Sequence, residues 1–511
     1  MHQSAMLTQV SGPAVGSSEA GLSRPEGRAV NKSSLRRKTI RATRWSLVSQ
    51  WVRQILTLLV TALLARILVP EDYGLIGMAL VVTNLANLFR DLGTSSAVIQ
   101  REEVSETLLS TLLWTNLAVG CSLAGLVALV AVPAAYYFRD PRLTWILWAL
   151  APSFILAGGS TVQQALLQRD LRFARLARVE ILSCAFGASV ACAAALSGLS
   201  LWSLVAQTLS YNAVSAVLLW RLNGWRPRAQ FSFLELKSVW NYSLNLTGFS
   251  TVNYLIRNAD SLLIGRMLGS QSLGFYSMAS KIILYPLQTI SGMVGRTLFP
   301  ALARAQNDEA TFRRGYFGAV GFIAMVTFPL MAGLMAIAKP AVTTFLSPKW
   351  SPVVPLLLIL CPLGLIQSVL TTSGVIFQAK GRTDLMFRIG ACSSAATVVA
   401  FVVGLHWGLL GLCGAYLLIE LLNTPFTLCF AFRQLSLPVR AIFAPIKGPL
   451  ICSAIMALLV HWSLTPVVGF CGPRAGAGLL ILEGAVLYLA SNWVLNRDQA
   501  RELRNLLVGR L

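Results

Sequence analysis

Long apolar stretches alternate with short polar connectors along the chain from Trp45 to Leu495. Each stretch contains about 18 or more residues, enough to cross a hydrocarbon core of about 30 Å as a helix. The pattern predicts an all-α polytopic membrane protein of about fourteen transmembrane helices. These predicted spans 1 to 14 cover residues 45–69, 73–96, 108–135, 143–167, 173–196, 201–220, 241–266, 272–297, 313–338, 352–379, 385–404, 408–432, 445–463 and 474–495.

The composition agrees with this pattern and excludes most soluble classes. Of the 511 residues, 55% are hydrophobic and only 12% are charged, against about 25% charged in an ordinary soluble domain. The formal net charge is +22, from 42 Lys and Arg and 20 Asp and Glu. About 30 of the basic residues lie in the termini and in alternate connectors, and about five lie in the other connectors. This asymmetry predicts an even number of spans with both termini cytoplasmic, and it excludes nucleic acid as a partner.

Two segments of the first half of the chain recur in the second half. Shifted by 200 residues, the identical pairs are Leu63/Leu263, Arg66/Arg266, Leu68/Leu268, Gly74/Gly274, Met78/Met278 and Ala79/Ala279. Shifted by 210 residues, they are Pro152/Pro362, Thr161/Thr371, Gln168/Gln378, Arg172/Arg382 and Arg178/Arg388. Both shifts map a span onto the span six positions later, which has the same orientation. The repeat predicts two parallel six-span lobes that enclose a cavity, with two further spans.

The repeat and the spans together predict the domain organisation. A disordered basic cytoplasmic tail is expected at 1–44, and the first span is expected to act as an uncleaved anchor, because the tail lacks the apolar core of a signal peptide. The remaining parts are an N-lobe at 45–220, a cytoplasmic linker at 221–240, a C-lobe at 241–432, spans 13 and 14 at 433–495 and a cytoplasmic C-terminal tail at 496–511.

The sequence lacks the motifs of the common nucleotide-dependent and metal-dependent reactions. It contains no phosphate-binding loop, no Asp-x-Asp pair of the kind that binds nucleotide sugars and no His-Glu-x-x-His motif. The three histidines are scattered, and the nine cysteines include no Cys-x-x-Cys pair. No connector is long enough for a soluble domain. Neither an enzyme nor a cofactor or metal is expected.

The sequence VPEDYGLIGMALVVTNLANLFRDLGTSSAVIQREEVS at 69–105, followed by LSTLLWTNLAVG at 109–120, resembles the Wzx/WzxC-like polysaccharide flippases of the multidrug/oligosaccharidyl-lipid/polysaccharide (MOP) superfamily. RNADSLLIGRMLGSQSLGFYSMASK at 257–281 and GRTLFPALARAQND at 295–308 are similar to the second-lobe signatures. The resemblance implies a MATE-like fold of two V-shaped lobes. It also implies a flippase for undecaprenyl-pyrophosphate-linked oligosaccharides in the bacterial inner membrane, serving exopolysaccharide or lipopolysaccharide O-antigen synthesis. Membrane lipid, a polysaccharide polymerase and the chain-length machinery are the other expected partners.

Charged side chains at membrane depth cost about 2.5–3.5 kcal/mol each, so their positions are informative. In span 7, four residues follow at steps of three or four and share one helix face: Ser250, Asn253, Arg257 and Asp260. The candidate cavity residues are Arg53, Asn84, Asn87, Asn253, Arg257, Asp260, Lys281 and Gln367. Arg53, Arg257 and Lys281 are expected to attract the pyrophosphate, and the amides to contact sugar hydroxyls.

Several alternatives stay open from the sequence. Arg257 could simply pair with Asp260, and Arg66 and Arg266 are interpreted as anchors at the membrane interface. Glu180, Glu420 and Glu483 could each carry a coupling proton, and nothing in the sequence singles one out. The chain could instead be an ion-coupled antiporter of drugs or other amphiphiles. A membrane polymerase or ligase is less consistent, since a sizeable outer loop with catalytic Arg or His would be expected.

Overall fold

Helices that run alternately up and down form the body of the protein. The structure is a computed structural model and describes residues 32–90, 94–101, 104–233, 251 and 253–496, within which there is no β-strand. Its main helices are α1 (Lys32–Ile67), α2 (Pro70–Asn87), α3 (Thr94–Gln100), α4 (Glu106–Phe138), α5 (Arg142–Leu150), α6 (Pro152–Arg169), α7 (Phe173–Leu196), α8 (Leu201–Leu222), α9 (Ala259–Arg304), α10 (Glu309–Ala336), α11 (Val353–Leu370), α12 (Ser373–Ala379), α13 (Thr383–Gly404), α14 (Gly408–Arg433) and α15 (Phe443–Leu495).

The helices follow the predicted spans and break at glycine or proline. Gly269 divides α9 at the boundary of spans 7 and 8, and Gly472 divides α15 between spans 13 and 14. Both have positive φ, 80° and 76°, a conformation that glycine adopts without steric cost. In the part of the chain that the structure describes, nine helical segments are long and apolar enough to cross a membrane. The all-helical membrane fold is confirmed, while the count of fourteen spans stays a prediction.

Two helix boundaries differ from the predicted ones. The segment 1–44 is not disordered throughout, because α1 begins at Lys32; residues 32–44 contain no Gly or Pro to stop the helix. Span 2 was expected to reach residue 96, but α2 ends at Asn87, and α3 is a separate short helix. The intervening sequence includes Asp91 and Gly93, both poor helix formers. Residues 1–31, 91–93, 234–250 and 497–511 of the predicted organisation lie outside the described residues.

The beginning of the predicted linker is bound along α4. The backbone N–H groups of Arg228 and Ser232 donate to the hydroxyls of Ser110 (3.1 Å) and Thr111 (3.0 Å). In the opposite direction, the indole N–H of Trp114 donates to the carbonyl oxygen of Arg228 at 3.1 Å. These bonds satisfy the backbone of an extended segment that has no secondary structure of its own. The chain therefore leaves the first half as an extended segment that is hydrogen-bonded to α4.

One buried cluster joins the two halves of the chain at one end of the molecule. We call this end, where α4 is connected to α5 and α10 to α11, the Trp350 end. The opposite end, with the Arg-rich connectors after α6, α8 and α9, is the basic end. At the Trp350 end, the shared cluster includes Leu75, Phe138, Leu273, Trp350 and Leu412. The first half (α1 to α8) and the second half (α9 to α15) thus share a single core there.

At the basic end, each half has its own core. In the first half, Val98 and Leu112 pack in a cluster formed by α3, α4 and α6. In the second half, Leu302, Phe312 and Phe432 pack in a separate cluster formed by α9, α10 and α14. Close van der Waals packing of such side chains is a main attraction between helices in a membrane. The two halves are consequently joined at the Trp350 end and packed independently at the basic end.

Candidate functional site

The backbones of α2 and α9 touch where the two helices cross at the Trp350 end. A Cβ atom at Gly74 would overlap the carbonyl oxygen of Ser270, and a Cβ atom at Gly274 would overlap that of Pro70. Gly74 and Gly274 are equivalent positions of the sequence repeat. Only glycine permits so close an approach. The crossing therefore lies on the approximate two-fold axis that relates the two halves.

Arg66 and Arg266, also equivalent in the repeat, each bind the opposite half. The guanidinium of Arg66 donates to the carbonyl oxygen of Phe345 at 3.2 Å. The guanidinium of Arg266 donates to the carbonyl oxygen of Tyr136 at 3.1 Å, and lies over the Tyr137 ring at 5.3 Å from its centroid. These contacts are reciprocal. Each arginine lies near the end of a helix in one half and donates to a backbone carbonyl oxygen of the other half.

Trp350 fills the interface between the halves. It is fully buried, and its indole N–H donates to the carbonyl oxygen of Ala65 in α1 at 2.7 Å. Its ring packs edge-on against Tyr73 of α2 and Phe275 of α9, with centroid distances of 5.3 and 6.1 Å. A buried tryptophan with a satisfied N–H contributes both apolar area and a fixed orientation.

Lys349 completes the contacts at the end of α1. Its ammonium group donates to the carbonyl oxygens of Arg66 and Ile67 at 3.0 and 3.1 Å. The last carbonyls of a helix have no partner within the helix and carry its negative dipole end, so a cation is favourable there. Four residues that hold the halves together at this end are called the clasp: Arg66, Arg266, Lys349 and Trp350.

The candidate cavity residues lie below the clasp, inside the helical body. At 1.5 Å per residue, they are about 14 to 26 Å from the end of their helix at the Trp350 end. Three of them, Asn84, Asn253 and Arg257, are exposed; the others are half-buried. They are contributed by α1, α2, α9, α11 and the helical residues 253–257. Ser250, on the same predicted face, lies outside the described residues.

In the second half, Gln367 binds Tyr416 of α14, and two further candidate residues are near enough to act on it electrostatically. The side-chain amide of Gln367 donates to the Tyr416 hydroxyl at 2.7 Å. Arg257, Asp260 and Glu420 all act electrostatically on the same hydroxyl. These groups come from three separated parts of the chain, so the fold and not local sequence brings them together. Tyr416 is the centre of this polar cluster.

Asp260 is bound by neutral donors. Its carboxylate accepts from the Tyr276 hydroxyl at 2.7 Å and from the backbone N–H of Ser261 at 2.6 Å. In the part of the chain that the structure describes, it forms no ion pair with Arg257. The pairing that the sequence left open is therefore not observed, and the Arg257 side chain is exposed.

Two further contacts cross from one half to the other at this depth. The ammonium of Lys281 donates to the Thr61 hydroxyl of α1 at 3.1 Å. The Tyr254 hydroxyl donates to the carbonyl oxygen of Val81 in α2 at 3.0 Å, beside the Asn84 side chain. For Asn87 and Asn253 the structure gives only the position and exposure. Lys281 and Asn84 thus lie at the seam between the halves.

In the first half, Arg53 faces Glu180. The Nε atom of Arg53 is 3.6 Å from a carboxylate oxygen of Glu180 in α7, and the Tyr211 hydroxyl of α8 lies beside the same guanidinium. The two charged side chains keep 38% and 25% of their surfaces exposed. Three helices of the first half therefore contribute to one polar cluster.

Sequence reasoning missed the tyrosines of these clusters. Four of them, Tyr211, Tyr254, Tyr276 and Tyr416, carry hydroxyls that meet the candidate residues. A tyrosine counts as apolar in a hydropathy pattern, so it does not interrupt a span. The available signal was the spacing of Tyr416 and Glu420, which places both on one face of span 12. Within the described residues, no group of His, Cys, Asp and Glu is arranged to hold a metal.

Comparisons with known proteins agree with this architecture. Residues 63–355 match the family described as "Polysaccharide biosynthesis protein". The lipopolysaccharide biosynthesis protein WzxC of Escherichia coli K12 is 29% identical over 398 residues, which are 76% of this chain and 80% of WzxC.

Solved structures establish the fold. The lipid II flippase MurJ in an inward closed conformation superposes with a TM-score of 0.68 at 14% identity, covering 90% of this chain and 99% of MurJ. An inward-facing MATE transporter of the MOP superfamily superposes with a TM-score of 0.59 at 15% identity, covering 75% and 94%. The fold that the resemblance implied is confirmed. The chain belongs to the polysaccharide biosynthesis protein family and has the fold of the MOP-superfamily transporters.

Proposed function

We propose that this protein is a flippase that carries undecaprenyl-pyrophosphate-linked oligosaccharide units across the bacterial inner membrane. The units would serve exopolysaccharide or lipopolysaccharide O-antigen synthesis. Its similarity to WzxC, named for lipopolysaccharide biosynthesis, supports the pathway. The positive charge of the connectors at the basic end supports a cytoplasmic location of that end and of both termini.

One observation carries this proposal: the halves are clasped at one end and packed separately at the other, with cations and amides between them. The substrate headgroup combines a pyrophosphate with many sugar hydroxyls. Arg53 and Arg257 supply guanidinium groups, which bind phosphate oxygens in a bidentate manner. Asn84 and Gln367 supply amides that can donate to and accept from hydroxyls. Charge attraction is stronger there than in water because the surroundings have a low dielectric constant.

The geometry supports transport by alternating access. In the observed state the clasp closes the Trp350 end, so the headgroup enters from the basic end and binds at mid-depth. The halves then rock, the clasp opens, and the headgroup leaves at the outer face. The lipid tail stays in the bilayer throughout. No covalent bond is made or broken, so the protein is not an enzyme; a polymerase and the chain-length machinery would receive the product.

The direct test is transport by the purified protein in liposomes. Lipid-linked oligosaccharide placed in one leaflet should become accessible to a glycosidase on the opposite side. Arg53→Ala with Arg257→Ala should abolish this transport, whereas Arg440→Ala, at an exposed position outside the cavity, should not. Normal transport by the double variant would contradict the proposed phosphate contacts.

A second function has one observation in its favour, the fold shared with a multidrug MATE transporter. The chain would then be an ion-coupled antiporter of drugs or other amphiphiles. The same liposomes, loaded with a cationic dye and given a proton or sodium gradient, separate the two functions. Dye export without oligosaccharide transport would favour the antiporter.

A further inference from the structure

In the part of the chain that the structure describes, Arg53–Glu180 is the ion pair formed inside the membrane-spanning helices, on the side nearer the basic end. The other ion pairs there join side chains at helix ends and connectors. Arg53 lies about 21 Å and Glu180 about 24 Å from the Trp350 end. At 3.6 Å the two groups are paired without a hydrogen bond, and the Arg53 Nε atom is buried and makes none to any other group. The pair is close but loosely held.

The pair lies at the edge of the cleft between the halves. Arg53 is two helical turns before Val60, which packs in the cluster shared by α1 and α7. Its neighbour Gln54 is likewise two turns before Thr61, which accepts the hydrogen bond of Lys281 from the second half. Arg53 therefore lies where the face of α1 that packs on α7 meets the face that looks across the cleft.

Two other carboxylates at membrane depth are held by neutral donors. The Asp260 carboxylate is bound by Tyr276 and Ser261. The Ser463 hydroxyl donates to the Glu483 carboxylate, whose two oxygens lie 2.8 and 2.9 Å away. Glu180 differs because it faces a cation that is itself a candidate substrate ligand. A carboxylate in that position competes with any anion that approaches Arg53.

We infer that Glu180 is the resting counter-ion of Arg53, displaced when a lipid diphosphate binds and restored when it leaves. The inference rests on the proposed function, since it takes Arg53 to bind the substrate phosphate. A half-exposed ion pair is weak, so a group with more than one negative charge replaces a single carboxylate. Transport also requires that binding be weak enough for release. Glu180 is thus a positioning residue that limits the affinity of Arg53 for the anion.

The experiment measures binding and transport by the full chain in liposomes. The probes are undecaprenyl pyrophosphate and uncharged undecaprenol. Glu180→Gln should bind the pyrophosphate about fivefold more tightly and bind undecaprenol unchanged. In transport it should lower both KM and kcat, because release becomes slow. Glu483→Gln, a matched change in α15, should alter neither value.

A double variant separates this role from a structural one. Arg53→Ala should weaken pyrophosphate binding, and adding Glu180→Gln to it should have no further effect, since the competition needs Arg53. If Glu180→Gln does not fold, Glu180→Asp, whose shorter arm draws the carboxylate away from Arg53, should tighten binding in the same direction. If the wild-type protein binds the pyrophosphate but neither Glu180 variant binds it more tightly, the inference is overturned and the proposed function stands. A wild-type protein that does not bind the pyrophosphate would overturn the proposed function as well.

Discussion

Gly74 and Gly274 bring the backbones of α2 and α9 into direct contact at the Trp350 end, each beneath a carbonyl oxygen of the other helix. Because the two positions are equivalent in the repeat, the contact is symmetric. It also lies beside Trp350 and the arginines of the clasp. We interpret this crossing as a contact of the closed state, at which the two halves separate during transport.

An alanine at either crossing position should prevent the observed closed state. Gly274→Ala places a methyl group against the Pro70 carbonyl, so the helices must move apart. We expect export to fall at least tenfold, with cysteine labels at the Trp350 end reacting faster. Gly125→Ala is the matched control because no atom lies within 4 Å of the added Cβ. It should keep export and raise stability by up to about 1 kcal/mol. Equal behaviour of the two variants would contradict the interpretation.

Removing the Trp350 side chain should destabilise the closed state. The change Trp350→Ala deletes a fully buried ring and its hydrogen bond to Ala65. Losses of this kind amount to about 3–5 kcal/mol. We expect a lower thermal unfolding midpoint in detergent and greater access to the cleft from the Trp350 end. Trp462→Ala, at a position that is 82% exposed, should leave both measurements unchanged.

Charge alone should not replace the guanidinium at position 257. Arg257→Lys keeps the cation but loses the bidentate geometry. We expect it to recover part of the export lost in Arg257→Ala, leaving a deficit of about tenfold, or 1.4 kcal/mol. Export rates at matched protein levels check this. Full recovery by lysine would show that position 257 needs only a positive charge.

Tyr416 should matter because it connects several candidate residues. Tyr416→Phe removes the hydroxyl to which Gln367 donates and leaves a half-buried amide without this partner. A loss of about 1–3 kcal/mol is usual for such a group. We expect reduced export and a lower unfolding midpoint. Tyr136→Phe provides the control, since that side chain is 82% exposed and should be neutral.

The sequence was sufficient for the elements that depend on local patterns. Apolar length predicted most helix boundaries within a few residues, and the repeat predicted the equivalence of Gly74 with Gly274. Each of these follows from spacing along a single helix.

The side chains that contact the candidate residues could not be predicted from local sequence patterns. Glu180 is separated from Arg53, and Tyr416 from Gln367, by long stretches of chain, so packing alone decides that they meet. The clasp was missed for the same reason. Arg66 donates to the backbone carbonyl oxygen of Phe345, and because every residue has such an oxygen, the sequence does not indicate which one is bound. Interpreting Arg66 as a membrane anchor did not reveal that it binds the opposite half.

Separation of the halves at the Gly74–Gly274 crossing is the central claim, and a disulfide across the next turn tests it most directly. A Cβ atom at Gly77 would lie 3.3 Å from the Ser277 hydroxyl oxygen, which is suitable geometry for a disulfide. In a background without the nine native cysteines, Gly77→Cys with Ser277→Cys should form this bond in the closed state. The measurement is oligosaccharide transport in liposomes before and after reduction, with each single cysteine variant as the control. We predict no transport by the cross-linked protein and recovery on reduction; full transport while the disulfide is intact would contradict the account.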